Sequence, residues 1–377
     1  MKVLVLNFEY PPLGGGASPV CRNICLELQG SGHELTVVTM GFEGLAGEEI
    51  DSGIKIHRIS VGRKEPNMSY PLEHLRFLQK GKQFLKKHLV THNYEVIHCH
   101  FIISTGILAD WVFRKYRIPF IITAHGSDLP GFNPDRFKLM HFVTPFFIRR
   151  VLKNCIFIVS PSHYLEQLIT PFLEKSEKLK MIPNGIELQP IHMEKKRNII
   201  LSTGRLLARK GFATLVKAVQ DLESDFTVHI CGDGPQREEL EKLALNSKTK
   251  IVFHGWLDNT SDAYQNLLKQ TKIYCLVSKF ENASIAILEA MAHGCAVITS
   301  NKGGTAEMVA ESGVLISPDD PVLLKEVLLR LIHDDKQIKE LGSKAIERVK
   351  EKYTWQSIGN AYEQVLMRSV NSNTNSI

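Results

Sequence analysis

Lys2-Val3-Leu4-Val5-Leu6-Asn7, followed by Tyr10-Pro11-Pro12-Leu13-Gly14-Gly15-Gly16-Ala17-Ser18-Pro19, decides how the rest of the chain is read. The first run is short and continuously apolar, the pattern of a strand covered on both faces. After the glycines come Val20, Ile24 and Leu28, whose four-residue spacing makes one face of a helix packed on a sheet. A buried strand, a glycine turn and an amphipathic helix form one βα unit of a parallel sheet. A signal peptide is the competing reading of the N-terminus, but the apolar run is too short and breaks at Asn7 and Glu9.

The same alternation continues outward from this unit. Apolar runs at 3–7, 34–40, 96–100, 120–123 and 156–160 read as strands of a first series, and 198–203, 226–231, 250–254, 273–277 and 296–300 as strands of a second. Two successive βα series in 377 residues, more than one ordinary core holds, predict an α/β protein. Its two doubly wound, Rossmann-like domains would have an interdomain cleft. The junction is expected between Ile182 and Arg197, with Pro183-Asn184-Gly185 as turn and hinge. That gives an N-terminal domain over 1–185 and a C-terminal domain over 186–354.

Composition excludes several classes. Hydrophobic residues make up 44% and charged residues 23%, ordinary globular values that argue against long disorder. A net charge of +6 fits anionic ligands or an acidic membrane surface and is too diffuse for nucleic acid. No apolar run approaches the roughly 20 residues of a bilayer span. The seven cysteines are scattered through apolar segments without a C-x-x-C pair, which reads as buried free thiols in a reducing cytoplasm. The stretch 62–93 carries Arg63, Lys64, Arg76, Lys80, Lys82, Lys86 and Lys87 among Leu75, Phe77, Phe84 and Leu89. It reads as a basic amphipathic helix, either a solvated face or an element for a membrane surface or acceptor. The polar tail 371–377 reads as disordered.

Three stretches carry candidate chemistry. Glycines let a backbone approach a ligand closely, and free amides at a helix start attract anions. The turn at 14–16 is therefore either a phosphate-binding turn or a turn without a ligand. It is not the dinucleotide fingerprint, because Pro19 stands where the third glycine belongs, and no Gly-Lys-Ser/Thr follows to make a P-loop. In Ser202-Thr203-Gly204-Arg205-Leu206-Leu207-Ala208-Arg209-Lys210-Gly211, a strand end is followed by Arg205 and Lys210 in one loop. A planar fork and a point charge together suit two adjacent phosphates. Glu281 and Glu289 stand eight positions apart in Phe280-Glu281-Asn282-Ala283-Ser284-Ile285-Ala286-Ile287-Leu288-Glu289. On a helix that separation is about 12 Å, near the distance between the two ends of a folded sugar nucleotide. Alone, such a pair would read as surface decoration.

In context these stretches resemble the signature of glycosyltransferase family 4, a retaining family with the GT-B fold. The resemblance runs over nearly the whole chain. It includes Gly14-Gly15-Gly16, Thr123-Ala124-His125-Gly126-Ser127-Asp128, Ile182-Pro183-Asn184-Gly185-Ile186, the Gly204-Arg205…Lys210-Gly211 loop, Gly232-Asp233-Gly234-Pro235, the Glu281-x7-Glu289 segment and Gly303-Gly304-Thr305. Together these motifs, in the family's order, are specific where each alone is weak.

The resemblance implies roles residue by residue. Glu281 would hold hydroxyls of the transferred sugar and Glu289 the ribose of a nucleotide-sugar donor, a UDP- or GDP-sugar. Arg205 and Lys210 would neutralise the departing diphosphate, and Gly15 and Gly16 would donate amides to it. His125 would face the anomeric centre and the sugar's outer hydroxyl, with Asp128 on the acceptor side. The loop Asn282, Ala283, Ser284 and Ile285 would present amides to the sugar. Many relatives have glycine where this chain has Asn282, which leaves the identity of the sugar open. In the family the final helix, here 355–367 with Trp355 as its anchor, crosses back onto the first domain.

The chain has no D-x-D triplet, so neither a metal clamp nor any other cofactor is expected. His98-Cys99-His100 resembles a ligand set, but alternate residues of a strand share a face through pleating alone. The implied chemistry is retaining transfer to a sugar or lipid-linked acceptor, the phosphate taking the acceptor's proton. Alternatives are a non-hydrolysing sugar-nucleotide epimerase, which needs no acceptor, and a sugar-nucleotide-binding scaffold without catalysis. A lipid-linked acceptor would bring the basic helix, with Arg149, Arg150 and Lys153, to an anionic membrane surface.

Overall fold

A computed structural model of the chain describes residues 1–45, 47–127, 129–132, 144–188 and 196–374. Contacts divide the chain into one unit of Met1–Asn184 with Trp355–Ile377 and a second of Gly185–Thr354.

The first unit runs β1 (Lys2–Leu6), α1 (Ala17–Gly30), β2 (Glu34–Gly41), β3 (Glu48–Asp51), β4 (Ile54–Ser60) and α2 (Pro71–Thr91). It continues with β5 (Val96–His100), α3 (Thr105–Tyr116), β6 (Phe120–Thr123), α4 (Thr144–Asn154), β7 (Phe157–Ser160), α5 (His163–Ile169) and β8 (Leu179–Met181). The second runs β9 (Arg197–Thr203), α6 (Phe212–Val219), β10 (Thr227–Cys231), α7 (Arg237–Ala244), β11 (Ile251–Gly255), α8 (Asp262–Gln270) and β12 (Thr271–Leu276). After these come α9 (Ile285–Ala292), β13 (Ala296–Ser300), α10 (Gly304–Val309), β14 (Val314–Ile316), α11 (Pro321–Ile332) and α12 (Asp335–Lys352). The last helix, α13 (Trp355–Thr374), belongs to the first unit.

Apart from the antiparallel β3–β4 pair, each unit is a parallel sheet built from a central strand outward. The first orders its strands β3-β4-β2-β1-β5-β6-β7-β8, the second β11-β10-β9-β12-β13-β14. Strands β1, β5, β6, β12 and β13 have almost no exposed residue, as expected of sheets covered on both faces. In each unit the order reverses direction beside the first strand, β1 or β9, and a doubly wound sheet binds ligands at the carboxyl ends of strands at that point.

The structure departs from the sequence expectations in five places. The strands β3 and β4 form an antiparallel hairpin on the edge of the first sheet, and β8 and β14, three residues each, close two other edges. The stretch 62–93 is helical only from Pro71 to Thr91. Pro71 at the first helical position and the Glu73 carboxylate, which takes the amides of Tyr70 (2.9 Å) and Lys64 (2.9 Å), start the helix there. Arg63 therefore lies outside the basic helix. Its buried guanidinium donates to the carbonyls of Phe8 (3.1 Å), Glu65 (2.9 Å) and Pro66 (3.0 Å). Finally, 371–374 continue α13, which was expected to end at 367, and 375–377 lie outside the described residues.

Helix α13 packs along α1. Gly359 makes the approach close, since a Cβ there would collide with the Glu27 side chain. Trp355, Ile358, Tyr362, Val365 and Leu366 are buried, each apolar side chain contributing roughly 1.5–3 kcal/mol. All seven cysteines are free and buried. Among the described residues no helix is long and apolar enough to cross a membrane.

Candidate active site

In the second unit the candidate residues gather at the carboxyl ends of β9 and β12. Gly204 and Arg205 follow β9 directly, and Lys210 ends a short 3-10 turn before α6. Gly232, at the end of the neighbouring β10, has φ +147°, and a Cβ there would collide with the Gly204 carbonyl. The loop that carries Arg205 is thus seated backbone to backbone. Across from it Glu281 sits in the segment joining β12 to α9, and its carbonyl takes the Gly304 amide at 3.0 Å. The preceding glycine, Gly303, has φ +78°, and a Cβ on it would strike the same Glu281 carbonyl.

The side chains meet in two clusters. Lys210 Nζ pairs with Glu281 Oε2, which also accepts from Ser278 Oγ at 3.4 Å. Both partners of the ion pair are largely shielded, at 17% and 16% side-chain exposure, so each is the other's counter-ion in the absence of a ligand. Arg205 is partly exposed, and among the described residues its guanidinium has no hydrogen-bond or ion-pair partner. The second cluster surrounds Glu289 in α9. Tyr264 Oη donates to Oε2 at 2.7 Å and Asn259 Nδ2 to Oε1 at 3.0 Å. Burial pushes the Glu289 carboxyl up to about 7, against the lowering effect of those two donors. Asn282 and Ser284 are buried, Ala283 and Ile285 partly so, and Ile285 begins α9. The first amides of that helix have no acceptor within it.

The first unit carries the remaining candidates. Gly15 and Gly16 are exposed between β1 and α1, with Gly16 at the N-cap. The Gly15 amide, assigned to a phosphate by resemblance, is already engaged: it donates to Glu9 Oε2 at 3.1 Å. The turn is braced from below by two arginines. Arg58 reaches the carbonyl of Pro11 (2.5 Å) and the carboxylate of Glu49 (2.9 Å), while Arg63 holds Phe8 and Pro66. Pro66 in turn takes the Gly14 amide at 2.8 Å.

His125 follows β6, half-buried, and bonds through Nε2 to Nδ1 of His100 at 3.0 Å. His98, on the same face of β5, bonds through Nε2 to Thr123 Oγ1 at 2.8 Å, and that hydroxyl donates to Tyr362 Oη of α13 at 3.1 Å. Burial pushes His98 and His125 down to about 3 and His100 well below the usual imidazole range, so all three are neutral at neutral pH. Asp128 lies outside the described residues.

Sequence reading missed Glu9, Ser278, Asn259, Tyr264 and the two buried arginines. The sequence does show Arg63, as part of the basic run, and His98 and His100, as alternate residues of one strand. Among the described residues no group of three or more His, Cys, Asp or Glu could hold a metal ion.

The chain is similar to known proteins over most of its length. Residues 14–190 match the family model described as Glycosyltransferase Family 4, and 186–348 the model described as Glycosyl transferases group 1. A Methanocaldococcus jannaschii chain described as a glycosyltransferase is 26% identical, covering 95% of this chain and 96% of its own. Sucrose-phosphate synthase from Thermosynechococcus elongatus superposes with a TM-score of 0.80 at 20% identity, over 99% of this chain and 100% of that one. Anabaena HepE, solved in complex with UDP-glucose, superposes with a TM-score of 0.75 at 17% identity, over 98% and 100%.

Proposed function

Because the chain belongs to glycosyltransferase family 4 and has the GT-B fold, we propose that it is a metal-independent, retaining glycosyltransferase using a UDP- or GDP-sugar. Its product would enter polysaccharide, glycolipid or small-molecule glycoside synthesis. Sugar transfer as such follows from the family. The observation that carries the finer reading is the Lys210–Glu281 pair beside Arg205, whose guanidinium has no partner among the described residues, at the carboxyl end of a doubly wound sheet.

A diphosphate entering this loop competes for Lys210. Once Lys210 turns to phosphate, the Glu281 carboxylate loses its cation and becomes an acceptor for the sugar's hydroxyls. Binding the anion and binding the sugar are then one event. Glu289, with its oxygens fixed by Tyr264 and Asn259, holds the ribose. In the transfer the bond from the anomeric carbon to the phosphate oxygen breaks. The bond to the acceptor oxygen forms on the same face, and the acceptor's proton goes to the departing phosphate. Arg205 and Lys210 stabilise the charge that grows on that phosphate. The UDP-glucose complex of HepE supports a uridine donor by analogy of fold.

A thermal-shift panel of UDP-, GDP- and ADP-sugars tests the reading. One donor at 100 times its Kd should stabilise the folded chain by about 2.7 kcal/mol, with no loss on adding EDTA. Anomeric proton coupling in the product should match that of the donor. No stabilising donor, or an inverted product, would sink it.

The acceptor-side proposal is a lipid-linked acceptor at an anionic membrane. Helix α2 exposes Lys80, Lys86 and Lys87 beside Leu75 (62% exposed) and Val90 (79%), and α4 exposes Arg149 and Arg150 beside Phe146 (65%). Flotation should retain the protein on phosphatidylglycerol vesicles at low salt and release it at high salt. Absence of retention at low salt counts against this acceptor.

A further inference from the structure

Successive strand residues point to opposite faces, yet His100 and Phe101, neighbours at the end of β5, both pack on the His125 ring. The His100 ring lies 5.2 Å from it at an interplanar angle of 14°, and the Phe101 ring 4.7 Å away at 45°. The backbone makes this possible at Phe101, whose φ of +73° breaks the alternation. A bulky residue with that φ is strained, and such strain persists only where the surroundings impose it. Here the imposing contacts are visible. The Thr105 hydroxyl holds the carbonyls of both His100 and Phe101 (3.0 Å to the latter), and Phe8 stacks on Phe101 at 4.3 Å. Phe8 is itself fastened through its carbonyl to buried Arg63.

We propose that His100 is a positioning residue that fixes His125 in one ring orientation and one tautomer, with the strained Phe101 as the opposite wall of the cradle. The tautomer follows from hydrogen-bond accounting. His100 Nε2 and His98 Nδ1 are buried and have no partner among the described residues, and an orphaned N–H is costlier than an orphaned lone pair. His100 is therefore protonated on Nδ1 and donates to His125 Nε2. Neutral His125 then carries its own proton on Nδ1, the ring nitrogen that His100 leaves unoccupied. The same rule fits His98. Thr123 donates its only proton to Tyr362, so His98 must donate from Nε2, and its orphan Nδ1 is again a lone pair. His125 thus presents an N–H donor, suited to a sugar hydroxyl or a developing negative charge and unable to act as a base there.

The proposal uses the family 4 reading only for what His125 does, and its test separates the two. Long-range 1H–15N spectra of the full-length, ligand-free protein with 15N-labelled histidine report the tautomer without any substrate. His125 should show the Nδ1–H pattern in the wild type. In His100→Phe, which keeps the ring stack and removes the donor, it should lose that pattern. In His100→Asn, whose amide nitrogen sits where Nδ1 was, the pattern should survive. With the donor selected by the panel above, kcat should fall about 10- to 100-fold in His100→Phe with KM for donor little changed, and His100→Asn should recover most of it. A wild-type Nε2–H tautomer, or a His125 pattern identical in His100→Phe and wild type, overturns the proposal. So does a kcat loss that the Asn variant shares in full while both melt at the wild-type temperature.

Discussion

The loops that follow the central strands of the two units differ in their electrostatics. After β1 the first unit offers backbone amides and, nearby, imidazoles kept neutral by burial. After β9 and β12 the second offers an arginine, a lysine and two carboxylates, one of them salt-bridged. Yet in both loops a carboxylate occupies the donor: Glu9 at the Gly15 amide, Glu281 at Lys210. The difference lies in what its removal does. Lys210 is a full charge in a shielded setting, worth more to a growing phosphate charge than an exposed amide.

The largest effect should follow from deleting that charge. Lys210→Ala removes a charge stabiliser and strands Glu281, and kcat is expected to fall about 10²- to 10³-fold, measured at saturating donor. Lys210→Ala with kcat near wild type would remove the contrast between the units, because the cation would then have no part in the chemistry.

How far this contrast was legible in the sequence depends on range. The strands β1, β5, β6 and β9 announce themselves as continuous apolar runs, and the motif residues lie at their ends. The β3–β4 hairpin does not, because Glu48-Glu49-Ile50-Asp51 has one apolar residue and gains its place only by pairing with β4. The start of α2 was written in Pro71 and Glu73, but the basic run across 63–87 masked it. What the sequence withholds is pairing. Lys210 meets Glu281 71 residues away, and Tyr264 meets Glu289 25 away. No local pattern marks either, since the partners are brought together by strand order and not by spacing. Glu9 hides for another reason: its partner is a backbone amide, which has no residue signature.

The second effect is a pH response of opposite sign in the two units. In the first, His98 and His125 have folded values near 3, below an unfolded value of about 6.5. Their neutral forms favour folding above pH 6.5, and that stability drains as pH falls from about 6.5 towards 3. In the second, Glu289 is raised to about 7 from an unfolded value near 4.5. Its contribution is fully present below about 4.5 and is lost as pH rises towards 7. Hydrogen exchange resolved by peptide, between pH 7 and 5, should show β5 and β6 losing protection while α8 and α9 gain it. Parallel changes in both sets would mean that burial of these groups does not distinguish the units.

The smallest effect probes the occupied amide. The Glu9 side chain touches the turn through the Gly15 amide, a solvent-exposed contact where a single charge is worth only about 0.2–1 kcal/mol. Any phosphate that takes the Gly15 amide must first displace this carboxylate and overcome its repulsion. Glu9→Gln keeps the shape and an acceptor oxygen but removes the charge. UDP should therefore bind about two- to fivefold more tightly by titration calorimetry, and the gain should shrink at high salt, because exposed charges are screened over a Debye length. Lys210→Ala should move UDP affinity the other way, so the two variants read the two loops with opposite signs. If Glu9→Gln leaves UDP affinity unchanged at low salt, the glycine turn is a structural turn braced by Arg58 and Arg63, and the anion belongs to the second unit alone.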